Sequence, residues 1–173
     1  MIALVSCDKN NGIGKTVDIC GKTVQTIPWK WKADMRFFKE KTCGKRIIVG
    51  RKTFETLPKL RNRRILCVSR QNIDPRSWYD WQVDTAFSAI ALHEAQQIAL
   101  QDKSNEIFLC GGGEIYKELL PYCSECYVSR LDEDHDCDVK FPVDILKNCF
   151  ESKPTRIIPI EGGVVEHYLA LPF

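Results

Sequence analysis

The sequence predicts an α/β protein with a mostly parallel central sheet of about eight strands, flanking helices and an antiparallel C-terminal hairpin. Short apolar runs alternate with segments of helical period as far as Leu120. Strands that alternate with helices form parallel sheets, because each helix carries the chain back across the sheet. Beyond Leu120 the apolar runs follow one another, and Glu161-Gly162-Gly163 separates the last two as a hairpin turn does.

The first predicted element is a buried strand over residues 1–7, an apolar run that ends at the turn-forming segment 8–12. A long loop then runs from Ile13-Gly14 to Pro28. Within this loop, residues 16–19 and 23–26 alternate in polarity around Cys20-Gly21-Lys22. That pattern predicts a small two-stranded hairpin that projects from the loop.

The next predicted element is a helix that follows Pro28 and ends near residues 42–44. Trp31, Met35 and Phe38 recur at helical spacing, and Asp34 lies on the same face. A carboxylate on an apolar stripe is costly unless something binds it. Two interpretations stay open at this point. Asp34 is either a helix-start residue facing first-turn amides or a carboxylate of a functional site.

The remaining predicted elements continue the alternation of strands and helices. Strands are predicted over residues 46–49, 64–69, 81–85, 106–110, 125–131, 150–158 and 164–171. Helices are predicted from residue 51 to before Pro58, over 88–101 with Ser88 as N-cap, and over 114–120.

Composition limits the classes of protein to which this chain can belong. Its 173 residues suit one domain over residues 1–173, and 44% hydrophobic with 28% charged residues is ordinary for a globular protein. A net charge of +2 is too small to indicate nucleic acid or a membrane surface as a partner. No apolar run has membrane-spanning length, and no secretory signal pattern is present. We therefore expect a cytoplasmic location.

The chain has nine cysteines, and several lie inside strand-like runs. Cys7, Cys67 and Cys110 occupy apolar positions, where cysteine acts as a small hydrophobic residue. Without a signal for export, reduced thiols are the better interpretation.

A zinc site is the competing interpretation of part of this set, because Cys123-x-x-Cys126 is followed by His135-x-Cys137. The segment 126–131 reads as one strand, however. At roughly 3.3 Å per residue such a strand separates the two pairs too far for one ion. We predict no metal site.

Three predicted strand ends carry polar groups: residues 49–53, 69–71 and 110–116. Each brings amides, cations or glycines to a point beyond the carboxyl end of a strand, where ligands of open α/β sheets bind. Taken singly, a Gly-Gly-Gly run is often only a turn, and Tyr116 stands where a dinucleotide fingerprint has its third glycine. Because all three strand ends occur in one short chain together with Asp34, we predict that they line one crevice for a phosphorylated ligand.

In order along nearly its whole length, the chain contains Met1-Ile2-Ala3-Leu4-Val5, Gly12-Ile13-Gly14, Pro28-Trp29, Asp34 with Phe37-Phe38-Lys39, Thr42, Val49-Gly50-Arg51-Lys52-Thr53-Phe54-Glu55, residues 60–64, Val68-Ser69-Arg70, Gly111-Gly112-Gly113-Glu114-Ile115-Tyr116, Leu119-Leu120-Pro121 and Phe141-Pro142. Through these pieces the sequence resembles dihydrofolate reductase. An aspartate at position 34, rather than a glutamate, resembles the bacterial branch. The stretch between Gly14 and Pro28 resembles the mobile active-site lid of the family but is about eight residues longer than in compact bacterial forms, so the lid contacts do not carry over.

The resemblance implies NADPH-dependent reduction of dihydrofolate, with hydride transfer to C6 and protonation at N5. Asp34 is then the catalytic residue: it binds the pterin ring and acts through water. Arg63 pairs with the α-carboxylate of the glutamate tail, and Ser129 stands where the family usually has threonine. The substrate-binding residues that the resemblance implies are Val5, Ile27, Asp34, Met35, Phe38, Leu57, Leu60, Arg63 and Ser129.

The resemblance also implies the cofactor site. The diphosphate of NADPH is expected at Lys52, Thr53 and the glycine-rich segment, and its 2′-phosphate at Arg51, Ser69 and Arg70. The full set of cofactor-binding residues is Cys7, Ile13, Gly14, Gly50, Arg51, Lys52, Thr53, Ser69, Arg70, Gln71, Cys110, Gly111, Gly112, Gly113, Glu114, Ile115 and Tyr116.

Two rival functions remain open, and only the second differs in class from this expectation. One is a reductase of the same fold that acts on a pyrimidine intermediate of riboflavin synthesis; such proteins usually lack the Pro-Trp…Asp…Phe helix, which is intact here. The other is a nucleotide-binding module without activity. We expect a monomer whose ligands are dihydrofolate and antifolate inhibitors, with no nucleic acid or membrane partner.

Overall fold

A computed structural model describes residues 1–58, 60–71 and 85–172. Within them lie eleven strands and five α-helices. The strands are β1 Ile2–Cys7, β2 Gly12–Ile19, β3 Lys22–Thr26, β4 Arg46–Gly50, β5 Arg63–Val68, β6 Thr85–Ile90, β7 Ile107–Leu109, β8 Glu125–Leu131, β9 Val139–Lys140, β10 Arg156–Ile160 and β11 Gly163–Leu169. The helices are α1 Lys32–Thr42, α2 Arg51–Phe54, α3 Leu92–Gln101, α4 Gly113–Leu119 and α5 Val143–Cys149.

Eight of the strands form one sheet in the order β10-β11-β8-β1-β7-β4-β5-β6. Neighbours from β8 to β6 run parallel, whereas β11 pairs antiparallel with both β8 and β10. The predicted fold class is therefore confirmed. Because the parallel strands share one direction, the ends of β1, β4, β5 and β7 meet at one edge of the sheet, where a ligand site is expected.

The central strands are buried on both faces, and their side chains divide between two apolar clusters. In β1, Ala3 and Val5 join the cluster that packs against α3, α4 and α5, while Ile2 and Leu4 join the other. The second cluster includes Phe54 of α2. Strand side chains alternate between faces, so a continuous apolar run is what a strand covered on both sides requires.

The lid hairpin, which we define as residues 12–26, is confirmed as a hairpin. Strands β2 and β3 pair antiparallel around a Cys20–Gly21 turn, with Val17 opposite Val24. Strand β2 begins at Gly12, earlier than predicted, because β9 pairs with its first residues. The third strand completes a small sheet that gives the hairpin support that two strands alone lack in water.

Several predicted elements were wrong in position or missing. Ser88 lies within strand β6 and does not cap a helix. Helix α3 begins at Leu92, and the residue before it, Ala91, donates its amide to the Glu94 carboxylate at 2.7 Å. Most of the strand predicted over 150–158 is absent, since β10 starts at Arg156. Helix α5 and strand β9 were not predicted. The predicted strand over 81–85 falls largely outside the described residues.

No helix in the described ranges is long and apolar enough to cross a membrane. Within the same ranges, no group of three or more His, Cys, Asp or Glu side chains is placed to hold a metal ion.

Candidate active site

Helix α1 is anchored at its start by Trp31, the residue before its first turn. The Trp31 side chain is 8% exposed, and its indole N–H donates to the Glu161 carbonyl at 2.6 Å. Glu161 belongs to the turn between β10 and β11. The C-terminal hairpin therefore holds the end of α1 that carries Asp34 in its first turn.

The Asp34 carboxyl faces two serine hydroxyls. Ser6 and Ser129 are direct partners on the parallel strands β1 and β8, so their side chains lie side by side. Burial raises the pKa of Asp34, and the hydroxyls of Ser129 and Ser6 partly oppose this rise. The Ser6 Oγ atom is buried and makes no hydrogen bond in the described part of the chain, so it lies near Asp34 without bonding to it. The geometry thus favours the interpretation of Asp34 as a site carboxylate.

Arg63 lies at the start of β5 and is 7% exposed. Its Nε donates to Thr42 Oγ1 at 3.2 Å, and Nη1 donates to the Arg61 carbonyl at 2.9 Å. Thr42 is the last residue of α1, and its own hydroxyl donates to the Phe38 carbonyl at 2.8 Å. These bonds fix the guanidinium plane against α1, and among the residues that the structure describes none accepts from Nη2, which suits a ligand carboxylate.

The apolar side chains expected around a substrate differ in exposure. Leu60 is buried, and Leu57 and Phe38 are half-buried against the same apolar cluster. Ile27 and Met35 are each 56% exposed. The stripe on α1 is therefore only partly buried, since Trp31 is 8% exposed and Met35 is 56% exposed. The remaining apolar residue, Val5, is buried in the cluster that contains Tyr116.

The ends of β4 and β7 meet where the glycine-rich segment begins. The Gly50 amide donates to the Gly111 carbonyl at 2.8 Å, and the Gly111–Gly112 peptide bond is cis. A Cβ on Gly50 would lie 2.7 Å from Ile115 Cγ1, and one on Gly112 would lie 2.7 Å from Thr53 Oγ1. Only glycine lets α2, α4 and these strand ends approach so closely.

Arg51 connects the ends of two neighbouring strands. Its Nη1 donates to Gln71 Oε1, and its Nε lies 3.7 Å from Glu55 Oε1. The Gln71 amide in turn donates to Ser69 Oγ at 3.1 Å. Arg70 is exposed beside them. Strands β4 and β5 pair with Gly50 opposite Val68, which brings the residues after both strands together as predicted.

Helix α2 has four residues, so its aligned peptide dipoles are few. Attraction of a phosphate at this point must come from individual amides and from the Arg51 and Lys52 side chains rather than from a helix dipole. The amides and cations expected after β4 are therefore present, but a helix dipole adds little to them.

The other residues predicted for a cofactor surround the same edge. Ile13 Cδ1 lies 3.8 Å from the position of a Cβ on Gly113, which places the base of the lid hairpin against the start of α4. The Tyr116 hydroxyl is buried and donates to the Leu4 carbonyl at 2.5 Å. The remaining positions are Cys7 at the end of β1, Gly14 in β2, Cys110 after β7, and Glu114 and Ile115 in α4.

Sequence reasoning missed the residues that hold the base of the lid hairpin. Asp8 is fully buried and accepts hydrogen bonds from the amides of Gly12 at 2.6 Å, Asn10 at 2.9 Å and His135 at 3.2 Å. Burial alone would raise the pKa of Asp8, but these amides lower it below its usual range. An aspartate followed closely by asparagine and glycine is the pattern of such a turn, and it was available in the sequence.

A second anchor joins the lid hairpin to the acidic loop after β8. The Thr16 amide donates to Asp138 Oδ1 at 2.7 Å, and the hydroxyl and amide of Thr16 lower the pKa of Asp138. Trp29, at the end of the lid segment, packs against His135 with ring centroids 5.2 Å apart. These contacts span more than a hundred residues, so no local pattern indicates them.

A half-buried carboxylate beside the ends of β1 and β8, with cations and glycines after β4, β5 and β7, is the arrangement expected of a nucleotide-binding enzyme of the α/β class. A sequence model of the dihydrofolate reductase family matches residues 1–156. The chain is 36% identical over 134 residues to dihydrofolate reductase type 3 of Salmonella typhimurium, covering 77% of this chain and 72% of that protein. It is 31% identical over 139 residues to dihydrofolate reductase of Haemophilus influenzae, covering 80% and 76%.

A solved structure of dihydrofolate reductase from Enterococcus faecalis, complexed with NADP(H) and RAB-propyl, superposes with a TM-score of 0.70. The two chains are 27% identical, and the match covers 99% of this chain and 96% of that one. The chain therefore belongs to the dihydrofolate reductase family, a family of NADP-dependent oxidoreductases.

Proposed function

We propose that this chain reduces 7,8-dihydrofolate to 5,6,7,8-tetrahydrofolate with NADPH, in support of one-carbon and thymidylate metabolism. The observation that carries this proposal is the Asp34 carboxyl, held beside Ser129 at the edge where the parallel strands end. Family membership supports both the substrate class and the cofactor.

Asp34 binds the pterin ring by accepting hydrogen bonds from a ring N–H and the adjacent amino group. Its two oxygens suit such a pair of parallel donors. The Ser129 hydroxyl lies beside the carboxylate, lowers its pKa and helps to orient it. Arg63, fixed by Thr42 and the Arg61 carbonyl, pairs with the α-carboxylate of the glutamate tail.

The apolar side chains that line the approach to Asp34 pack against the rings of the substrate. Their role is to exclude water, which strengthens the hydrogen bonds to Asp34. We propose this role for Val5, Ile27, Met35, Phe38, Leu57 and Leu60.

The residues at the strand ends fit NADPH. Glycines at positions 50 and 112 keep the backbone accessible where any Cβ would collide with a neighbour. Lys52 and Thr53 face the diphosphate, while Arg51 and Arg70 face the 2′-phosphate. Bound in this way, the cofactor supplies the hydride that C6 of the substrate accepts.

Asp34 governs the proton at N5 through water. On a pterin ring, N5 lies on the side opposite to the atoms that a carboxylate binds, so direct transfer is out of reach. The raised pKa of the buried Asp34 carboxyl lets it hold a proton at higher pH than an exposed aspartate does. Its charge also polarises the bound ring in favour of protonation from water.

The test follows NADPH absorbance in the presence of dihydrofolate. Wild type should oxidise NADPH, and Asp34→Asn should lower turnover by about 10²–10⁴-fold at neutral pH with partial recovery in acid. The matched control is Asp144→Asn, which removes an exposed carboxylate from α5. An Asp34→Asn variant within about threefold of wild type at pH 7 would exclude Asp34 from the mechanism.

The same assay distinguishes the proposed function from the two rival functions. Activity with a pyrimidine intermediate but not with dihydrofolate would assign the chain to the related reductases. NADPH binding without turnover of either substrate would make it a nucleotide-binding module.

We further propose that residues 1–173 form one domain, that the protein acts as a monomer in the cytoplasm, and that antifolate inhibitors bind at the Asp34 site. Two apolar clusters on opposite faces of one continuous sheet support the single domain. A modest net charge of +2 supports the proposal that nucleic acid and membranes are not partners.

A further inference from the structure

A cavity of about 500 Å³ lies between the lid hairpin and helix α2. The hairpin contributes Lys22 and Gln25 to its wall, and α2 with the turn after it contributes Arg51, Lys52 and Glu55. Volumes of roughly 300–1,000 Å³ are typical of sites for small organic ligands. The lid insertion thus adds a wall to the edge where the cofactor residues lie.

The cations of this cavity differ in their partners. Arg51 is engaged by Gln71 and Glu55. Lys22 and Lys52 make no ion pair or side-chain hydrogen bond within residues 1–58, 60–71 and 85–172. Two lysines from separate elements therefore border one cavity, and the carboxylate in its wall, Glu55, is paired with Arg51 rather than with either lysine in the described part of the chain. Such an arrangement attracts an anionic ligand.

The position of Lys22 is held by the hairpin's attachments to the rest of the protein. Strand β2 pairs with β9, and Thr16 bonds to Asp138, so the base is fixed. Strand β3, which begins at Lys22, packs against α2. A supported hairpin presents its side chains with less loss of conformational entropy on binding than a free loop would.

We propose that Lys22 is a further cofactor-binding residue, which contacts the diphosphate of NADPH together with Lys52 from the opposite wall of the cavity. This inference rests on the proposed function. The cavity includes Lys52, expected at the diphosphate, and Arg51, expected at the 2′-phosphate, but neither Ser69 nor Arg70. Arg51 is already engaged by Gln71 and Glu55, so Lys52 is the cation beside which a second lysine can bind the same phosphate group. The diphosphate, which NADPH and NADH share, is therefore the group that Lys22 meets.

The test measures the Kd of NADPH and of NADH by fluorescence titration with wild type, Lys22→Gln, Lys22→Arg and Lys15→Gln. Lys15 is the matched control, because it is a cation of the same hairpin that pairs with Asp136 at 3.5 Å instead of bordering the cavity. Lys22→Gln should raise the Kd of both cofactors by the same factor, about three- to tenfold. Lys22→Arg should restore affinity, and Lys15→Gln should leave both values unchanged.

Three results would overturn the proposal. Unchanged affinity in Lys22→Gln would remove Lys22 from the cofactor site. A loss confined to NADPH would move the contact to the 2′-phosphate. Equal losses in Lys22→Gln and Lys15→Gln would indicate a general effect of charge. Because these are binding titrations, they are read independently of turnover, and only the dihydrofolate assay with wild type tests the proposed function itself.

Discussion

Gly163→Ala should disturb the contact through which the C-terminal hairpin holds helix α1, which carries Asp34. A Cβ at this position would lie 2.3 Å from the Arg130 carbonyl oxygen and 2.7 Å from Trp31 Cη2. One neighbour is backbone of the paired strand β8 and cannot give way cheaply. The other is the large ring whose N–H bonds to Glu161. Either the hairpin or the start of α1 has to move.

Overpacking of this kind costs about 1–3 kcal/mol. For a protein of this size, 1 kcal/mol corresponds to roughly 2–4 °C in Tm, so the variant should melt roughly 2–12 °C lower. Movement of Trp31 shifts Asp34, so KM for dihydrofolate should rise while the Kd of NADPH stays constant. Calorimetry and steady-state kinetics measure the two effects.

Gly44→Ala is the matched control for this change. Gly44 has φ +77, and a Cβ there would meet nothing within 4 Å. In that variant the free energy of unfolding should fall by about 1–2 kcal/mol, because alanine is disfavoured in the left-handed backbone region. KM for dihydrofolate should stay unchanged. The reasoning fails if Gly163→Ala melts within about 1 °C of wild type, or if both variants change KM equally.

The remaining predictions concern the cofactor, the lid and the carboxylate. Arg70→Ala should lower kcat/KM for NADPH roughly ten- to hundredfold and leave NADH nearly unaffected; equal values for the two cofactors in wild type and variant would contradict the role of this cation. Replacing residues 15–25 by a short loop should keep the single-turnover hydride rate within a few-fold but shift steady-state kcat and ligand release. Loss of the hydride step would show that the lid hairpin builds the site, and unchanged rates would make it an inert insertion. Asp34→Asn should raise the free energy of unfolding of the ligand-free protein in urea at neutral pH, because the native state no longer buries a charge. This gain in stability should shrink as the pH falls from the raised pKa of native Asp34 to the lower pKa of an aspartate in the unfolded chain. A gain in stability that does not change with pH would refute the burial argument.

Helix α1 shows what a local sequence pattern can predict and what it cannot. The spacing of Trp31, Asp34 and Phe38 predicted a helix that presents a carboxylate, and the end near Thr42 is confirmed. The same pattern did not indicate how deeply each member of the stripe is buried: Trp31 is 8% exposed and Met35 is 56% exposed. Periodicity defines which side chains share a face, but it does not say whether that face meets the core or a cleft.

Strand β6 shows a different kind of failure. Residues 85–90 pair with β5 along its whole length, whereas the sequence suggested a cap at Ser88 and a helix from there. Serine before an apolar period is a good cap signal. Pairing with a neighbouring strand supplies more hydrogen bonds than one cap does, so tertiary context overrode the local preference.

The sequence by itself determined the fold class, the order of most elements, the position of Asp34 and the convergence of three polar strand ends. These follow from alternation, helical period and turn residues, which act over a few neighbours in the chain. Only the tertiary structure decided that β9 and Asp138 support the lid hairpin, that Ser6 lies beside Ser129, and that Lys22 and Lys52 border one cavity. The physical reason is that strand pairing and packing bring together residues far apart in the chain, and their energies depend on shape complementarity that no local pattern contains.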